Sequence, residues 1–310
     1  MRNSLSILQV TVALTAIGVP LAQHAQAGQL LLYVSERLSD QIVTVTTGGQ
    51  VSTFVTTPGF NPALLTFGSN GNLYVGQNLG NSVDQITPGG AVSTFVTTSL
   101  SRTTGLASDS DGNLFVAGEA SDQIDKITPG GIASIFVSTP GFEPDGIAID
   151  SSNNLYVALN SGNSSHIAEI TPAGIVTQLG ASVTNLNLQG VAIDGNGNVY
   201  VSSDSTSIME ISPSGTETTY ATLSANANPW EMAFGPDGTL YVMDDGNDQV
   251  DAISPGGGSV TVVANLGTPG VGLAIGEENV PEPGTLSLMA GSLIGLCYLR
   301  RRASGSRPKR

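Results

Sequence analysis

An aromatic residue returns along this chain at a nearly constant spacing, and this regularity constrains the fold more than any other feature of the sequence. The successive spacings are 41, 41, 41, 44 and 41 residues, and the six positions are Tyr33, Tyr74, Phe115, Tyr156, Tyr200 and Tyr241. Each aromatic residue follows a short apolar stretch and a polar turn, as in residues 144–157, which is the pattern of a β-hairpin. One such unit cannot bury its own apolar face, so the units must pack against one another in a repeat architecture.

Each repeat predicts four β-strands, which we name A to D. Strand B carries the aromatic residue, and strand D alternates apolar residues with Ser and Thr, as in residues 51–55. Strand C leads to a β-branched residue, namely Val45, Ile86, Ile127, Ile170, Ile211 and Ile253. The A strands contain residues 64–67, 105–108, 146–149, 190–193, 231–234 and 272–275.

The first repeat begins at strand B and the last repeat ends after strand A, so the two ends of the repeat region complete one unit. Joining them leaves no terminal blade with an open edge, which is the usual weakness of antiparallel sheets. The sequence therefore predicts an all-β domain over residues 28–278. This domain is a six-bladed β-propeller of four-stranded blades, with a closing blade shared by the N- and C-terminal strands. A parallel β-helix is the competing interpretation, but its repeats are much shorter.

The turns between strands C and D carry proline and glycine. Examples are Thr87-Pro88-Gly89-Gly90 and Ser254-Pro255-Gly256-Gly257. Proline presets φ at the first central position of a turn, and we expect the glycine that follows it to adopt positive φ.

The charge of the chain is concentrated in the repeats. All 25 acidic residues lie between residues 28 and 283, where the only basic residues are Arg37, Arg102 and Lys126, a net charge of −22 against −15 for the whole chain. Such a field disfavours nucleic acid and anionic membranes and attracts cations. The single cysteine, Cys297, lies near the C-terminus, so no disulfide or cysteine-rich metal site forms within one chain.

Residues 1–27 have the pattern of a signal peptide. Arg2 precedes an apolar run that ends in Ala25-Gln26-Ala27, the small-x-small pattern of signal-peptide cleavage. We therefore expect cleavage after Ala27 and export of the chain.

The C-terminal segment, residues 279–310, has three successive parts. The sequence Val280-Pro281-Glu282-Pro283 precedes an apolar run over 284–299, and Arg300-Arg301-Arg302 follows it. The run is short for a full transmembrane span, and the arginines would stay on the cytoplasmic side. An ordinary C-terminal membrane anchor is one interpretation of this order.

This tripartite end resembles the PEP-CTERM sorting signal of Gram-negative bacteria. The resemblance implies transient membrane anchoring and cleavage near Pro-Glu-Pro by a transpeptidase-like exosortase. It also implies a host that makes exopolysaccharide or biofilm matrix. We expect a location in the cell envelope, on the outer surface or outside the cell.

The repeats themselves resemble NHL repeats. The resemblance rests on residues 144–150 with 154–157 and on residues 190–194 with 197–201, and it covers roughly residues 29–276. NHL-type propellers mostly bind proteins or nucleic acid, and some relatives are enzymes. The fold alone therefore does not fix the function.

In propellers, the starts of the A strands and the B–C loops surround one mouth of the central channel. The candidate mouth residue lies eleven positions before each strand-B aromatic: Ala63, Thr104, Asp145, Gln189 and Trp230, with Val271 in the closing strand. We take Asp145, Gln189, Trp230 and the adjacent Glu231 as candidate ligand-binding residues.

Asp145 lies in a Pro-Asp-Gly sequence, and the gluconolactonase/regucalcin family, which this chain also resembles, uses such an aspartate as a metal ligand. That resemblance implies a Ca²⁺- or Zn²⁺-dependent lactonase with Asn and Glu ligands from other blades. Hard cations need several oxygen ligands, whereas the equivalent mouth positions are Thr, Gln, Ala and Trp, and Glu231 is one residue out of register. We therefore expect no required cofactor, with Ca²⁺ or Zn²⁺ at Asp145 as the alternative.

Three further features bear on the chemistry. Residues 109–113 resemble the start of a calcium loop but occupy the place of an A–B hairpin turn. The virginiamycin lyase family also has a glycine-rich propeller and needs a catalytic histidine with partners. After removal of residues 1–27, His166 is the remaining histidine, near the start of a C strand. Trp230 offers a stacking surface for a sugar or closes the channel as a plug.

Acidic residues in the predicted B–C loops would share the mouth face, where they bind sugar hydroxyls or Ca²⁺ or keep the face soluble. They are Glu119, Asp204, Asp244, Asp245 and Asp248.

Together these observations favour an exported PEP-CTERM propeller that acts as a non-enzymatic binding or scaffold module in the cell envelope or extracellular polysaccharide matrix. The expected partners are an exosortase-type processing enzyme and an extracellular polysaccharide or envelope protein, and not nucleic acid. The alternative function is a metal-dependent gluconolactonase-like hydrolase centred on Asp145.

Overall fold

A computed structural model describes residues 30–277, apart from residues 79, 163 and 185. The predicted signal peptide and the C-terminal sorting segment lie outside the described residues. Within them the chain forms strands and one short 3₁₀ helix, Glu119–Ser121.

The strands of the first half are β1 (Leu30–Glu36), β2 (Gln41–Thr46), β3 (Val51–Thr56), β4 (Pro62–Phe67), β5 (Leu73–Gln77), β6 (Ser82–Ile86), β7 (Val92–Thr97), β8 (Thr103–Ser108), β9 (Leu114–Gly118), β10 (Gln123–Ile127), β11 (Ala133–Ser138) and β12 (Glu143–Ile149). Those of the second half are β13 (Leu155–Asn160), β14 (Ser165–Ile170), β15 (Val176–Val183), β16 (Leu188–Ile193), β17 (Val199–Ser203), β18 (Ser207–Ile211), β19 (Glu217–Thr222), β20 (Pro229–Phe234), β21 (Leu240–Asp244), β22 (Gln249–Ile253), β23 (Val260–Asn265) and β24 (Gly270–Glu277).

The strands form six antiparallel sheets of four strands, which are the blades of a propeller. Blade one has the order β24-β1-β2-β3, and blades two to six each take the next four strands in chain order. The first strand of each sheet is strand A, and neighbouring A strands contact one another in a closed ring around the axis. The predicted six-bladed propeller of four-stranded blades is confirmed.

The ring closes in blade one, where the two ends of the described chain meet. Strand β24 pairs antiparallel with β1, and Tyr33 lies opposite Ala274. The predicted sharing of one blade by the N- and C-terminal strands is confirmed, and it leaves no open edge between the first and last blades.

The repeated aromatic residue holds neighbouring blades together, which explains its regular spacing. The Tyr33 ring packs edge-on against Phe54 in strand D of its own blade and against Phe67 in strand A of the next, with centroid distances of 5.2 and 5.0 Å. Tyr200 makes the same pair of contacts with Tyr220 and Phe234. Edge-to-face pairs of this kind add about 0.5–1.5 kcal/mol beyond their buried area.

The core lies in layers between the blades. In the layer between blades three and four, Ile124 and Ala117 are fully buried against Leu155 and Val157. Fully burying a side chain such as Leu155 stabilises the fold by about 1.5–3 kcal/mol. Each strand D is the outermost of its blade and is largely exposed, as in β3 and β7.

The C–D turns differ in one detail from the prediction. In blade two the positive φ belongs to Gly90 (φ 80°), one position later than predicted, and the Gly90 N–H donates to the Thr87 carbonyl at 2.8 Å. Pro88 and Gly89 therefore both keep negative φ, as in a type I turn that places glycine at its fourth position. In blade six the prediction is correct at Gly256, whose φ is 79°.

Candidate functional site

The predicted mouth residues lie at irregularities in the A strands. In blade four the pairing of β12 with β13 jumps from Pro144 to Ile147, and in blade six that of β20 with β21 jumps from Pro229 to Met232. The other A strands have equivalent shifts. A bulge leaves residues out of the ladder and re-aims their side chains, so Asp145 and Trp230 leave the plane of their sheets.

The ring is tight at this level because neighbouring A strands touch through their backbones. A β-carbon placed on Gly146 would lie 2.2 Å from the carbonyl oxygen of Gln189, and one on Gly190 would lie 2.1 Å from that of Trp230. These distances leave no room for any side chain, so glycine is required at these two positions. The structure thus brings Asp145, Gln189 and Trp230 together in one ring.

Buried serines bridge the blades at the same level. The Ser202 hydroxyl accepts the Gly190 N–H at 2.8 Å and donates to the Trp230 carbonyl at 2.6 Å. Ser35 joins Gly272 to the next blade in the same way, with distances of 2.8 and 2.5 Å. These bonds satisfy backbone groups that the bulges remove from the ladder.

Trp230 lies across the mouth of the channel. Its side chain is half-buried and lines a small enclosed space together with Ala63, Thr104 and Val271, which belong to the three blades beyond its own. The indole Nε1 is buried and has no hydrogen-bond partner. Of the two predicted arrangements, this geometry fits a plug better than a free stacking surface.

Asp145 and Glu231 are acidic side chains inside this ring. Burial raises the pKa of Asp145 to about 8, and the charge of Glu119 adds to the increase while Arg102 opposes it. Burial also raises the pKa of Glu231 to about 8; the Met232 N–H lowers it, and the charge of Asp145 raises it further. Because desolvation disfavours the charged form, the ring favours the protonated form of both carboxyls.

Glu231 occupies the position that glycine takes in four of the other A strands. Predicted to be out of register with the mouth residues, it lies directly after Trp230, within the bulge of β20, and its side chain faces the channel below the ring. It is near enough to Asp145 for their charges to interact. Gln189, the remaining predicted residue, is 9% exposed, and its Oε1 atom has no hydrogen-bond partner.

The acidic residues of the B–C loops mostly organise those loops. Glu119 pairs with Arg102 at 2.6 Å, and Asp245 pairs with Arg37 at 3.7 Å. Asp244 is fully buried and accepts hydrogen bonds from the N–H groups of Gly246 and Asn228 and from the Asn247 side chain. Asp204 likewise accepts from Asn187. Asp248 lies in the loop of blade six.

Residues 109–113, which resemble the start of a calcium loop, form a hairpin turn. Both carboxylate oxygens of Asp109 accept hydrogen bonds from within the turn, from the N–H groups of Asp111 and Asn113 and from the Asn113 side chain. Asp150 and Asp194 do the same in later blades. Within the described part of the chain, no three His, Cys, Asp or Glu side chains lie close enough together to hold a metal ion.

His166 lies away from the channel. It is in β14, the third strand of blade four, opposite Leu159, and its ring packs edge-on against Phe142 at 4.9 Å. Burial lowers its pKa. His166 is therefore a neutral packing residue at neutral pH and is not near the mouth.

A cavity of about 350 Å³, which was not predicted from the sequence, lies in the centre of the propeller. It begins at Glu231 and extends along the A strands to their last residues, such as Phe67 and Phe234, on the face of the A–B turns. None of the six mouth residues lines it. The channel is thus closed on the predicted ligand face and open on the opposite one. A sequence signal existed: five A strands carry alanine three positions after the mouth residue.

Strand order, blade closure and channel define this protein as a single-chain six-bladed β-propeller. The chain belongs to the virginiamycin B lyase family, whose model matches residues 20–211. A repeat of unknown function matches residues 145–279, and the PEP-CTERM protein-sorting motif matches residues 279–302. No curated protein matches the chain.

Solved structures share the fold. Virginiamycin B lyase from Staphylococcus aureus is 20% identical, with a TM-score of 0.60 over 74% of this chain and 79% of that one. A catalytically inactive form of the S. aureus enzyme with quinupristin is 18% identical, with a TM-score of 0.61 over 83% and 94%. A chain of a nidogen/laminin complex is 18% identical, with a TM-score of 0.71 over 81% and 100%. At these identities the likeness shows the fold alone.

The predicted PEP-CTERM motif is confirmed, and it implies an exported protein that is anchored in the membrane and then processed by an exosortase-type enzyme. The matching propeller model is that of the virginiamycin B lyases, and the finer NHL and gluconolactonase assignments stay predictions. In residues 30–277, as far as they are described, no helix is long and apolar enough to cross a membrane. The apolar run over residues 284–299 lies outside them.

Proposed function

We propose that this protein is an exported, non-enzymatic binding or scaffold module of the cell envelope or extracellular polysaccharide matrix of a Gram-negative bacterium. The sorting motif supports export and exosortase-type processing. The net charge of −22 over residues 28–283 supports a partner other than nucleic acid.

The observation that carries the proposal is the position of His166. The virginiamycin lyase resemblance implies a catalytic histidine with partners, yet His166 packs against Phe142 in the third strand of blade four. A general base must lie within hydrogen-bond reach of the proton it removes. A propeller that keeps the family fold, and whose channel is lined by no histidine among the described residues, supports binding rather than turnover.

We expect the purified full-length protein to leave quinupristin, the compound present with the inactive S. aureus relative, chemically unchanged. The compound would be followed by chromatography and mass spectrometry over many hours at high protein concentration. Cleavage of quinupristin by the wild-type protein would contradict the non-enzymatic proposal. Loss of that cleavage in His166→Ala would then assign it to this residue.

We also expect the wild-type protein to be retained by the polysaccharide fraction of the host matrix. If the mouth is the binding site, Trp230→Ala should reduce retention several-fold. Tyr220→Ala, a half-buried aromatic residue near the opposite face, is the matched control and should bind normally. Equal retention of Trp230→Ala would remove Trp230 from the site, and no retention of wild type by any matrix fraction would contradict the scaffold role.

One observation favours the alternative, a metal-dependent gluconolactonase-like hydrolase. Asp145 and Glu231 interact electrostatically at the ring, so two carboxyl groups are available to a cation that displaces their protons. If this function is correct, Ca²⁺ or Zn²⁺ should raise the melting temperature of the protein, because a ligand that binds only the folded state stabilises it. Asp145→Asn should abolish the increase. An unchanged melting temperature in millimolar Ca²⁺ and Zn²⁺ would exclude this function.

A further inference from the structure

A cleft of about 280 Å³ lies between blades one and two, and it shares no residue with the central cavity. One wall is the loop that leads from β3 to β4 and carries Pro58 and Phe60. The other wall belongs to blade two and includes Gln77 and Asp84. Pockets for drug-sized ligands have volumes of roughly 300–1,000 Å³, so this cleft suits a ligand part of one ring.

Hydrogen bonds fix the loop that carries Phe60. The two carboxylate oxygens of Asp40 accept hydrogen bonds from the N–H groups of Gly59 and Asn61, at 2.7 and 3.0 Å. The Phe60 N–H donates to the Thr57 carbonyl at 3.0 Å. The half-buried Phe60 ring is therefore a preorganised apolar surface, and little conformational entropy is lost when a ligand packs on it.

The same loop sequence recurs between blades three and four, where a side chain fills the equivalent space. Residues 139–142 repeat the Thr-Pro-Gly-Phe sequence of residues 57–60, and the His166 ring packs edge-on against Phe142 at 4.9 Å. When strands β6 and β14 are aligned on their last isoleucine, Ser82 takes the position of His166. The Ser82 side chain is too short to cover Phe60 in this way, so the cleft in blade two is open.

Asp84 brings a buried oxygen without a hydrogen-bond donor to this cleft. Its side chain is 8% exposed, and its Oδ1 atom has no hydrogen-bond partner. Asp125 holds the equivalent position in blade three and accepts a hydrogen bond from the Gln123 side chain, two residues earlier, at 3.0 Å. In blade two that earlier residue is Ser82, whose hydroxyl donates to Gln77 instead, at 3.0 Å. A buried acceptor without a donor costs stability, so a ligand that supplies the donor gains binding free energy.

The chain around the cleft is uncharged. Asp84 is the only acidic or basic residue in residues 41–101, although the net charge over residues 28–283 is −22. Burial raises the pKa of Asp84, and a hydrogen bond with Thr94 opposes this increase. This stretch has no basic residue for an anion, and one carboxyl group is too few oxygen ligands for a hard cation. An aromatic ring beside an amide and a carboxyl group fits a neutral ligand that has an apolar face and several hydroxyl groups.

We propose that the cleft between blades one and two binds one sugar residue of a neutral polysaccharide. The apolar face of the sugar packs against Phe60, one hydroxyl group donates to Asp84 Oδ1, and another accepts from the Gln77 amide. This inference rests on the proposed binding function and gives it a site separate from the mouth.

The test is titration of the full-length protein, followed by NMR, with the neutral trisaccharides cellotriose, maltotriose and mannotriose and with the charged trigalacturonate. We expect at least one neutral trisaccharide to bind, and to bind about ten-fold or more tightly than trigalacturonate. Asp84→Val and Ser82→His should each weaken that trisaccharide about ten-fold. The first variant removes the acceptor, and the second fills the cleft as His166 does in blade four.

Asp125→Val is the matched control, because it makes the same change at the equivalent position of blade three, and it should leave trisaccharide binding unchanged. Valine already occupies this position in blade one, as Val43, so we expect Asp84→Val to fold. Ser82→His tests the site independently if it does not.

The proposal is overturned if no neutral trisaccharide binds, or if the folded variants at Ser82 and Asp84 bind as tightly as wild type. Retention by matrix polysaccharide is a separate measurement. Retention of wild type without trisaccharide binding would reject this cleft alone, and trisaccharide binding in the cleft without retention would reject the matrix role alone.

Discussion

Replacing Gly190 by alanine should lower the free energy of unfolding by about 3 kcal/mol or more, at the upper end of the range for overpacked sites. The added β-carbon would lie 2.1 Å from the Trp230 carbonyl oxygen and 3.0 Å from the α-carbon of Glu231, both of which are backbone atoms of the next blade. Backbone cannot rotate away as a side chain can. Blades five and six would have to separate, which would also break the bridge that Ser202 makes at this contact.

Gly195→Ala is the matched control. Gly195 belongs to the next turn of the same blade, and a β-carbon there would have no atom within 4 Å. The same chemical change should therefore alter stability by only a few tenths of a kcal/mol. Thermal unfolding should show a loss of roughly 6–12 °C for Gly190→Ala. If the two variants melt at the same temperature, the A strands are not packed as tightly as their backbones indicate.

The repeated pattern made the propeller predictable because the same physical constraint acts in every blade. Tyr33, Tyr200 and their equivalents must reach both their own strand D and the next strand A, so their spacing records the blade itself. The closure of blade one followed from the strand types at the ends of the repeat region. The prediction of positive φ was one position too early in blade two because a proline-glycine pair fits either of two turns. In a type II turn the glycine after proline has positive φ, whereas a type I turn places glycine at its fourth position, as Gly90 does.

The site was predictable in position but not in shape. Counting back from strand B located Asp145 and Trp230 in the ring, because bulges recur at the same place in each A strand. The direction of the Trp230 indole depends on its side-chain torsions and on residues of three other blades, and no local pattern records these. The central cavity was missed because Ala148 and its equivalents match ordinary buried strand residues when each blade is considered alone.

Raising the pH from 5 to 8 should destabilise the wild-type protein by about 3 kcal/mol more than the double variant Asp145→Asn, Glu231→Gln. In the unfolded chain these carboxyls have pKa values of 3.8 and 4.5, whereas burial raises both pKa values to about 8 in the folded state. Burying these two carboxyls costs the least folding free energy below pH 4, where the folded and the unfolded state both hold the protons. Stability then falls as pH rises towards 8, because the unfolded state releases protons that the folded state retains. One such group contributes at most about 1.4 kcal/mol per pH unit, so two groups over three pH units set an upper limit of about 8 kcal/mol. Partial exposure of both side chains and relaxation of the ring reduce this limit to the expected value.

The measurement is denaturant unfolding of wild type, the double variant and Asp111→Asn at half-unit pH intervals. Asp111 is exposed, so its variant removes one acidic charge without touching the ring and should follow wild type. Some slope should remain in the double variant near pH 6, because burial also raises the pKa of Asp251 to about 6. Asp194, whose pKa is lowered by hydrogen bonds from Asn198 and its neighbours despite some burial, acts in the opposite sense and only below pH 4. Parallel curves for wild type and the double variant between pH 5 and 8 would mean that Asp145 and Glu231 are already charged in the folded ring, and the neutral carboxyl at the inner end of the channel would have to be abandoned.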